Sequence, residues 1–397
     1  MAQAKTISAF VIFKSKDQRH NSKVDKTQLF RSVVKRNLQF LEPHAAFAPE
    51  APGNRKACLD FNHFESPILC AELTPEEAES LRAHPDVVAV TQDAAFPFKS
   101  QALDGFAAAS GQQTPDGVKK VRAPKAWKLG RGKGIKIAIL DCGIDPTHPD
   151  LAANYRGGVN TYDHLKMILL SHGTHCAGIA AAVDNDLGVI GVAPDAELYS
   201  VKVGQATGTV KALIAGIYWC IENRMNIISI SREYHDSAEI EKVCKSASAA
   251  GILIIASAGN VQGPVPNEAT AQLPAPACYP TVLAVSGIND DDTIGAYSAR
   301  GPKVELCAPG TAVASTILRG RYAKRRGTSM AAPHVAGAAA VVWSIFPKAT
   351  NRQVREILTQ SARQIGKKPG RSPRFGFGCV DVAAAAKLAA RMAEGDG

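Results

Sequence analysis

Beyond residue 130, short apolar runs recur at Ile135–Leu140, Leu198–Lys202, Ile227–Ser231, Ile252–Ser257 and Val282–Val285. Their apolar residues are nearly consecutive, as in strands buried on both faces. Helical spacing of apolar residues marks Gly173–Val183, Val210–Asn223, Ala238–Ala249, Ser329–Phe346 and Asn351–Ala362. This alternation predicts an α/β domain, a mostly parallel sheet flanked by helices, over residues 116–392.

The first 93 residues follow another pattern. Residues 6–13 alternate as a strand, and Asp25–Glu42 places Leu29, Val33, Val34, Leu38 and Leu41 on one helical face behind Asp25 as N-cap. Two strand-like runs, 57–64 and 67–73, precede a second helix. Thr74 is its N-cap, Pro75 its first residue, Glu77 the partner in a capping box and Pro85 its stop. A last strand covers Val87–Thr91. The order strand, helix, two strands, helix, strand predicts a small α+β domain of ferredoxin-like type over residues 1–93. Between the domains, residues 94–115 are small, Gly- and Pro-containing and without period, and read as an exposed linker.

Composition excludes two classes. Apolar residues at 46% and charged residues at 21% leave no room for a chain disordered throughout. The longest apolar stretch, Ala331–Phe346, is broken by Pro333 and His334, so no membrane span is expected. The net charge of +10 comes from scattered basic residues, and with aromatics at 6% no nucleic-acid partner is expected. Nine cysteines, without a C-x-x-C pair, suit free thiols in a reducing compartment. With no apolar leader-like core in the first residues, a cytoplasmic location is expected.

Five residues carry candidate chemistry. Asp141 ends the strand IKIAIL, where ligands and catalysts sit in an open parallel sheet. His172 and His175 enter a helix of small residues; no third metal ligand stands near them in sequence. Asn260 follows the strand GILIIAS, and Ser329 opens a long helix behind Gly327. Taken singly, each also fits a turn or a helix cap. Together they supply what an acyl transfer at serine needs: a base, a carboxylate to hold its tautomer, and donors for an oxyanion.

IAILDCGIDPTHPDL, SHGTHCAGIAAA, ASAGN and GTSMAAPHVAG resemble the signature segments of subtilisin-like serine peptidases, the subtilases. The resemblance runs from about Gln112 to Ala390. It implies Asp141 as the orienting carboxylate, His172 as general base, Ser329 as nucleophile and Asn260 in the oxyanion hole, with His175 structural. It further implies that residues 1–93 form an inhibitory pro-domain, cut off by the enzyme itself within the linker. A structural calcium ion is implied too, held by Gln112, Asp150 and Asn185 and by the carbonyls of Val183, Leu187 and Val189; the alternative is a surface turn without an ion. Protein or peptide substrates are expected to pair with the edge Ser231, Arg232 and Glu233, where the family has a small or apolar residue and then glycine after the serine, and Cys278 is expected at the floor of the first specificity pocket. The competing expectations are a silent scaffold on the same fold and an acyl-transferring ligase on the same triad.

Overall fold

The computed structural model describes residues 6–14, 26–35, 38–41, 58–60, 68–97, 101–106, 111–162, 170–366 and 370–395. Asp25, most of the expected strand 57–64, and residues 98–100 and 107–110 of the expected linker lie outside these.

The N-terminal unit contains β1 (Ile7–Phe13), α1 (Lys26–Val33), β2 (Phe40–Leu41), β3 (Cys58–Asp60), β4 (Ile68–Leu73), α2 (Pro75–Arg82) and β5 (Val87–Gln92). Its sheet runs β2-β3-β4-β1-β5, with β1 antiparallel to both β4 and β5. The strand period of two divides β1 between two cores. Ala9, Val11 and Phe13 face Leu29 and Phe30 of α1 and Leu81 of α2, while Phe10 faces the larger domain. The capping box forms as expected: Glu77 N–H donates to Thr74 Oγ1 at 3.2 Å and Thr74 N–H to Glu77 Oε2 at 2.8 Å. The first helix is shorter than its apolar spacing predicts. It ends at Val33, and the chain turns so that Phe40 and Leu41 pair in parallel with Cys58 and Leu59, extending the sheet.

The expected linker is not a free one. Residues 95–97 form β6 and residues 101–106 form β7, each paired antiparallel with a strand of the larger domain. Their partners, β11 (Thr207–Thr209) and β17 (Arg321–Arg326), offer edge backbone groups that an extended segment satisfies whatever its side-chain pattern.

In the larger domain, α3 (Asp116–Lys120) leads to β8 (Lys136–Asp141), α4 (Pro149–Ala152), β9 (Tyr155–Asn160), α5 (Ser171–Ala181) and β10 (Glu197–Lys202). After β11 come α6 (Val210–Glu222), β12 (Ile227–Ile230), α7 (Ala238–Ala249), β13 (Leu253–Ser257), β14 (Val282–Ile288), β15 (Val304–Pro309) and β16 (Val313–Ile317). Following β17 are α8 (Thr328–Ile345), α9 (Asn351–Gln360) and α10 (Val382–Gly395). The main sheet is parallel, in the order β15-β14-β13-β12-β8-β10-β9. One face packs on α5, α8, α9 and α10, the other on α6 and α7. The second core continues into the N-terminal sheet through Phe10, Leu59, Ile68 and Cys70, so that sheet lies on α6 and α7. Thr91 hydrogen-bonds Glu239 of α7, and Asp93 accepts from Lys211 N–H in the first turn of α6 at 3.1 Å.

Candidate active site

Three apolar elements deliver three polar side chains to the carboxyl edge of the sheet. Asp141 is the last residue of β8 and is fully buried. His172 lies in the first turn of α5, brought close because Gly173 has no Cβ; one there would meet Gly143 O at 2.3 Å. His172 Nδ1 stands 2.8 Å from Asp141 Oδ2. That contact places the imidazole proton on Nδ1 and leaves Nε2 as the basic nitrogen. His175, one turn on, bonds the carbonyl of Ala323 through Nε2 at 3.0 Å, tying α5 to β17.

Ser329 lies in the first turn of α8, whose backbone N–H groups have no intrahelical acceptor. Its hydroxyl donates to Ser231 O at 3.2 Å, and Ser231 Oγ donates back to Ser329 O at 2.9 Å. Pro333 explains why that carbonyl is available: it lacks the N–H that would bond four residues back. Cys176 Sγ also donates to Ser329 O, at 3.4 Å, and lies 3.8 Å from His172 Nδ1. One ligand atom each from Asp141, His172 and Cys176 falls within 4.8 Å of the others. Two of these three atoms are already engaged with each other, Asp141 Oδ2 with His172 Nδ1. The third is a buried thiol whose acidity burial suppresses, the reverse of what a thiolate ligand requires.

Asn260 is fixed from both sides. Its Oδ1 accepts from Thr328 N–H at 3.0 Å and Thr328 Oγ1 at 3.3 Å, which turns Nδ2 outward. Glu233 Oε1 accepts from Asn260 N–H at 2.6 Å and from Nδ2 at 3.4 Å. Beside Asn260 opens a cavity of about 330 Å³ whose lining includes Glu233, Tyr234, Asp236, Gln272 and Leu273. Cys278 does not line it. It is partly buried and packs against the core that includes α7.

Arg232 turns inward, 5% exposed, with a guanidinium nitrogen 2.5 Å from Gln205 O and Nε 3.8 Å from Asp141 Oδ1. The space exists because Gly204 and Gly208 have no side chains there. Burial by itself would raise the Asp141 carboxyl, but His172, Arg232 and the Cys142 N–H outweigh it and hold the group below its ordinary value. Burial pulls the His172 imidazole below its ordinary 6.5; Asp141 opposes this, while Arg325 and Arg232 add to it. Removing a neighbouring cation favours the imidazolium, so less neutral base exists at a given pH. In Arg232→Leu the acidic limb of kcat/KM therefore moves to higher pH, read from a pH–rate profile on a peptide substrate; an unmoved limb sinks this electrostatic role.

The calcium residues named from sequence also meet. Gln112 Nε2 contacts Val183 O at 2.6 Å, Asn185 Oδ1 at 3.2 Å and Val189 O at 3.3 Å. Asp150 Oδ2 accepts from Val189 N–H at 2.8 Å, and Leu187 N–H donates to Asn185 Oδ1 at 3.1 Å. Gly188, at φ +49, lets the loop pass Tyr322; a Cβ there would meet the Tyr322 hydroxyl at 1.9 Å.

Sequence reasoning missed Thr328, Tyr234 and Asp236. Thr328 was legible as the residue between Gly327 and the serine. The other two lie in a strand-to-helix turn that carries no motif of its own.

Residues 132–378 match the model of the subtilase family. The chain is 37% identical to subtilisin E of Bacillus subtilis over 328 residues, 80% of each chain. It is 39% identical to subtilisin of Bacillus pumilus over 287 residues, 70% of this chain and all of the relative. Over 338 residues it is 35% identical to an alkaline protease of Alkalihalobacillus alcalophilus, covering 82% of this chain and 81% of that protein.

Proposed function

The chain belongs to the subtilase family and is a serine endopeptidase acting on proteins, and from that premise we propose that Asp141, His172 and Ser329 are its catalytic triad and that the N-terminal domain is an inhibitor cut away by the enzyme itself. The observation that carries the triad is the 2.8 Å contact between His172 and Asp141 beside a helix-start serine. In the reaction the Ser329 hydroxyl leaves Ser231 O. His172 Nε2 takes its proton as Oγ attacks the scissile carbonyl. Negative charge grows on the carbonyl oxygen, for which Ser329 N–H and Asn260 Nδ2 are the donors. The imidazolium then gives its proton to the departing amine, leaving an acyl-enzyme on Oγ. Water, activated by the same nitrogen, releases the acid and restores the serine. Asp141 stays ionised throughout and holds the ring. The mass of the purified chain, wild type against Ser329→Ala, tests this reading.

Support for the inhibitory role comes from β6 and β7, which lie along the strands that border the site, and from the sheet face buried on α6 and α7. Nine free cysteines, eight of them buried, support a reducing, intracellular compartment.

The oxygens around Gln112 fit calcium. Val183 O, Val189 O and Asn185 Oδ1 converge on one point of the Gln112 amide, with the Asp150 carboxylate alongside. Half a turn of that amide adds Oε1 to a set of hard oxygen ligands. Bound calcium would brace the loop 183–189 against residues 112 and 150. Chelation is expected to lower the melting temperature and added calcium to restore it. Saturation at a hundred times Kd contributes about 2.7 kcal/mol, roughly 5–10 °C for a domain of this size. In Asp150→Asn the response shrinks; a melting temperature indifferent to chelator in the wild type removes calcium from the account.

A further inference from the structure

Resting on that assignment of Ser329, we propose that the cavity beside Asn260 receives a lysine or arginine side chain, so that the enzyme cuts after basic residues and releases its own N-terminal domain by cutting after Lys99.

The cavity adjoins the oxyanion donor, so it receives the side chain that precedes the scissile bond. Leu273 and Pro274 give it an apolar wall suited to a methylene stem, and Glu233 and Asp236 give it two carboxylates. Glu233 is held in place through Asn260 N–H at 2.6 Å. Asp236 is exposed and has no lysine or arginine partner among the described residues. A neutral apolar side chain entering this cavity would strip water from both carboxylates and offer them no new partner, whereas an ammonium or guanidinium pairs with them.

An occupant is present in the chain's own sequence. β6 runs antiparallel to β11, with Phe96 opposite Gly208. The Phe96 ring meets Tyr234 edge-on at 5.5 Å and His235 at 4.9 Å, both of which line the cavity. β7 begins at Gln101, opposite Arg326, three residues before Ser329. β6 therefore lies against residues that line the cavity and β7 against the strand that leads into Ser329, and the residues joining them in sequence are Phe98, Lys99 and Ser100. Lys99 is the basic residue among them.

The test uses the full-length chain. After self-processing, the mature N-terminus should be Ser100, with Lys99→Arg cut as readily and Lys99→Leu cut about 10²-fold more slowly. On fluorogenic peptides that differ at the residue before the cut, lysine and arginine should exceed leucine and phenylalanine by about 10²-fold in kcat/KM. Asp236→Asn should lower that ratio about tenfold. A preference for phenylalanine or leucine, or a mature N-terminus at Lys99 after cutting behind Phe98, overturns the proposal. Fluorophosphonate labelling separates the two failures. A labelled Ser329 with apolar preference leaves the triad standing and rejects the basic pocket; a chain that neither labels nor cuts rejects both.

Discussion

Ser329→Ala should purify as one uncut chain of 41.9 kDa, whereas the wild type separates into an N-terminal fragment and a catalytic fragment. The alanine variant keeps every backbone contact of the serine, including the acceptance by Ser329 O of Ser231 Oγ and Cys176 Sγ, so its fold and melting temperature should not change. What it loses is Oγ, and with it, on the proposed mechanism, both the bond to the acyl group and the proton that His172 takes. Peptide hydrolysis should fall about 10⁶-fold, the magnitude of triad deletions in subtilisin. His172→Ala should fall nearly as far, and the double variant hardly further, because the two act as a unit. Mass spectrometry of the purified chains and turnover of a peptide substrate read both effects. Cleavage of Ser329→Ala at the wild-type rate, with no contaminating protease, would reject the assignment.

The parts legible in the sequence are those where burial alone dictates the pattern. The central strands of the parallel sheet are covered on both faces, so each must be apolar throughout and stands out, and the polar residue that ends each run is conspicuous by contrast. Asp141 and Asn260 stand out that way. Elements whose partner is a backbone edge left no such trace. β6 and β7 form because β11 and β17 present unpaired groups, a condition that spacing along the chain does not encode. β17 itself, RYAKRR, reads as a solvated charge run; its pairing with β16 and β7 is what makes it a strand. The first helix shows the opposite error. Leu38 and Leu41 continue the helical spacing of Leu29 and Val33, yet the chain leaves the helix so that Phe40 and Leu41 can join a strand. The inward turn of Arg232 has a three-dimensional reason that the sequence does not encode: the glycines at 204 and 208, from a separate loop, open a buried path to Asp141.

Asn260 carries the second large effect, and two substitutions divide its roles. Its amide oxygen serves the fold by accepting from Thr328, and on the proposed mechanism its amide nitrogen serves the reaction. Asn260→Ala removes both. Turnover should drop about 10²–10³-fold, a loss of roughly 2.7–4 kcal/mol known for the oxyanion-hole asparagine of a subtilisin. KM should change little, because the oxygen becomes an anion only as the tetrahedral intermediate forms, and an interaction confined to the transition state appears in kcat. Asn260→Asp keeps an oxygen for Thr328 N–H, so its melting temperature should stay closer to the wild type than that of the alanine variant. Its second oxygen, however, faces both the Glu233 carboxylate and the developing oxyanion, two like charges where the wild type has a donor. The aspartate variant should therefore be the slower of the two at neutral pH despite being the better folded. Steady-state kinetics with parallel melting curves decide it: a raised KM at unchanged kcat in either variant would make Asn260 a substrate-binding residue and leave the oxyanion to Ser329 N–H alone.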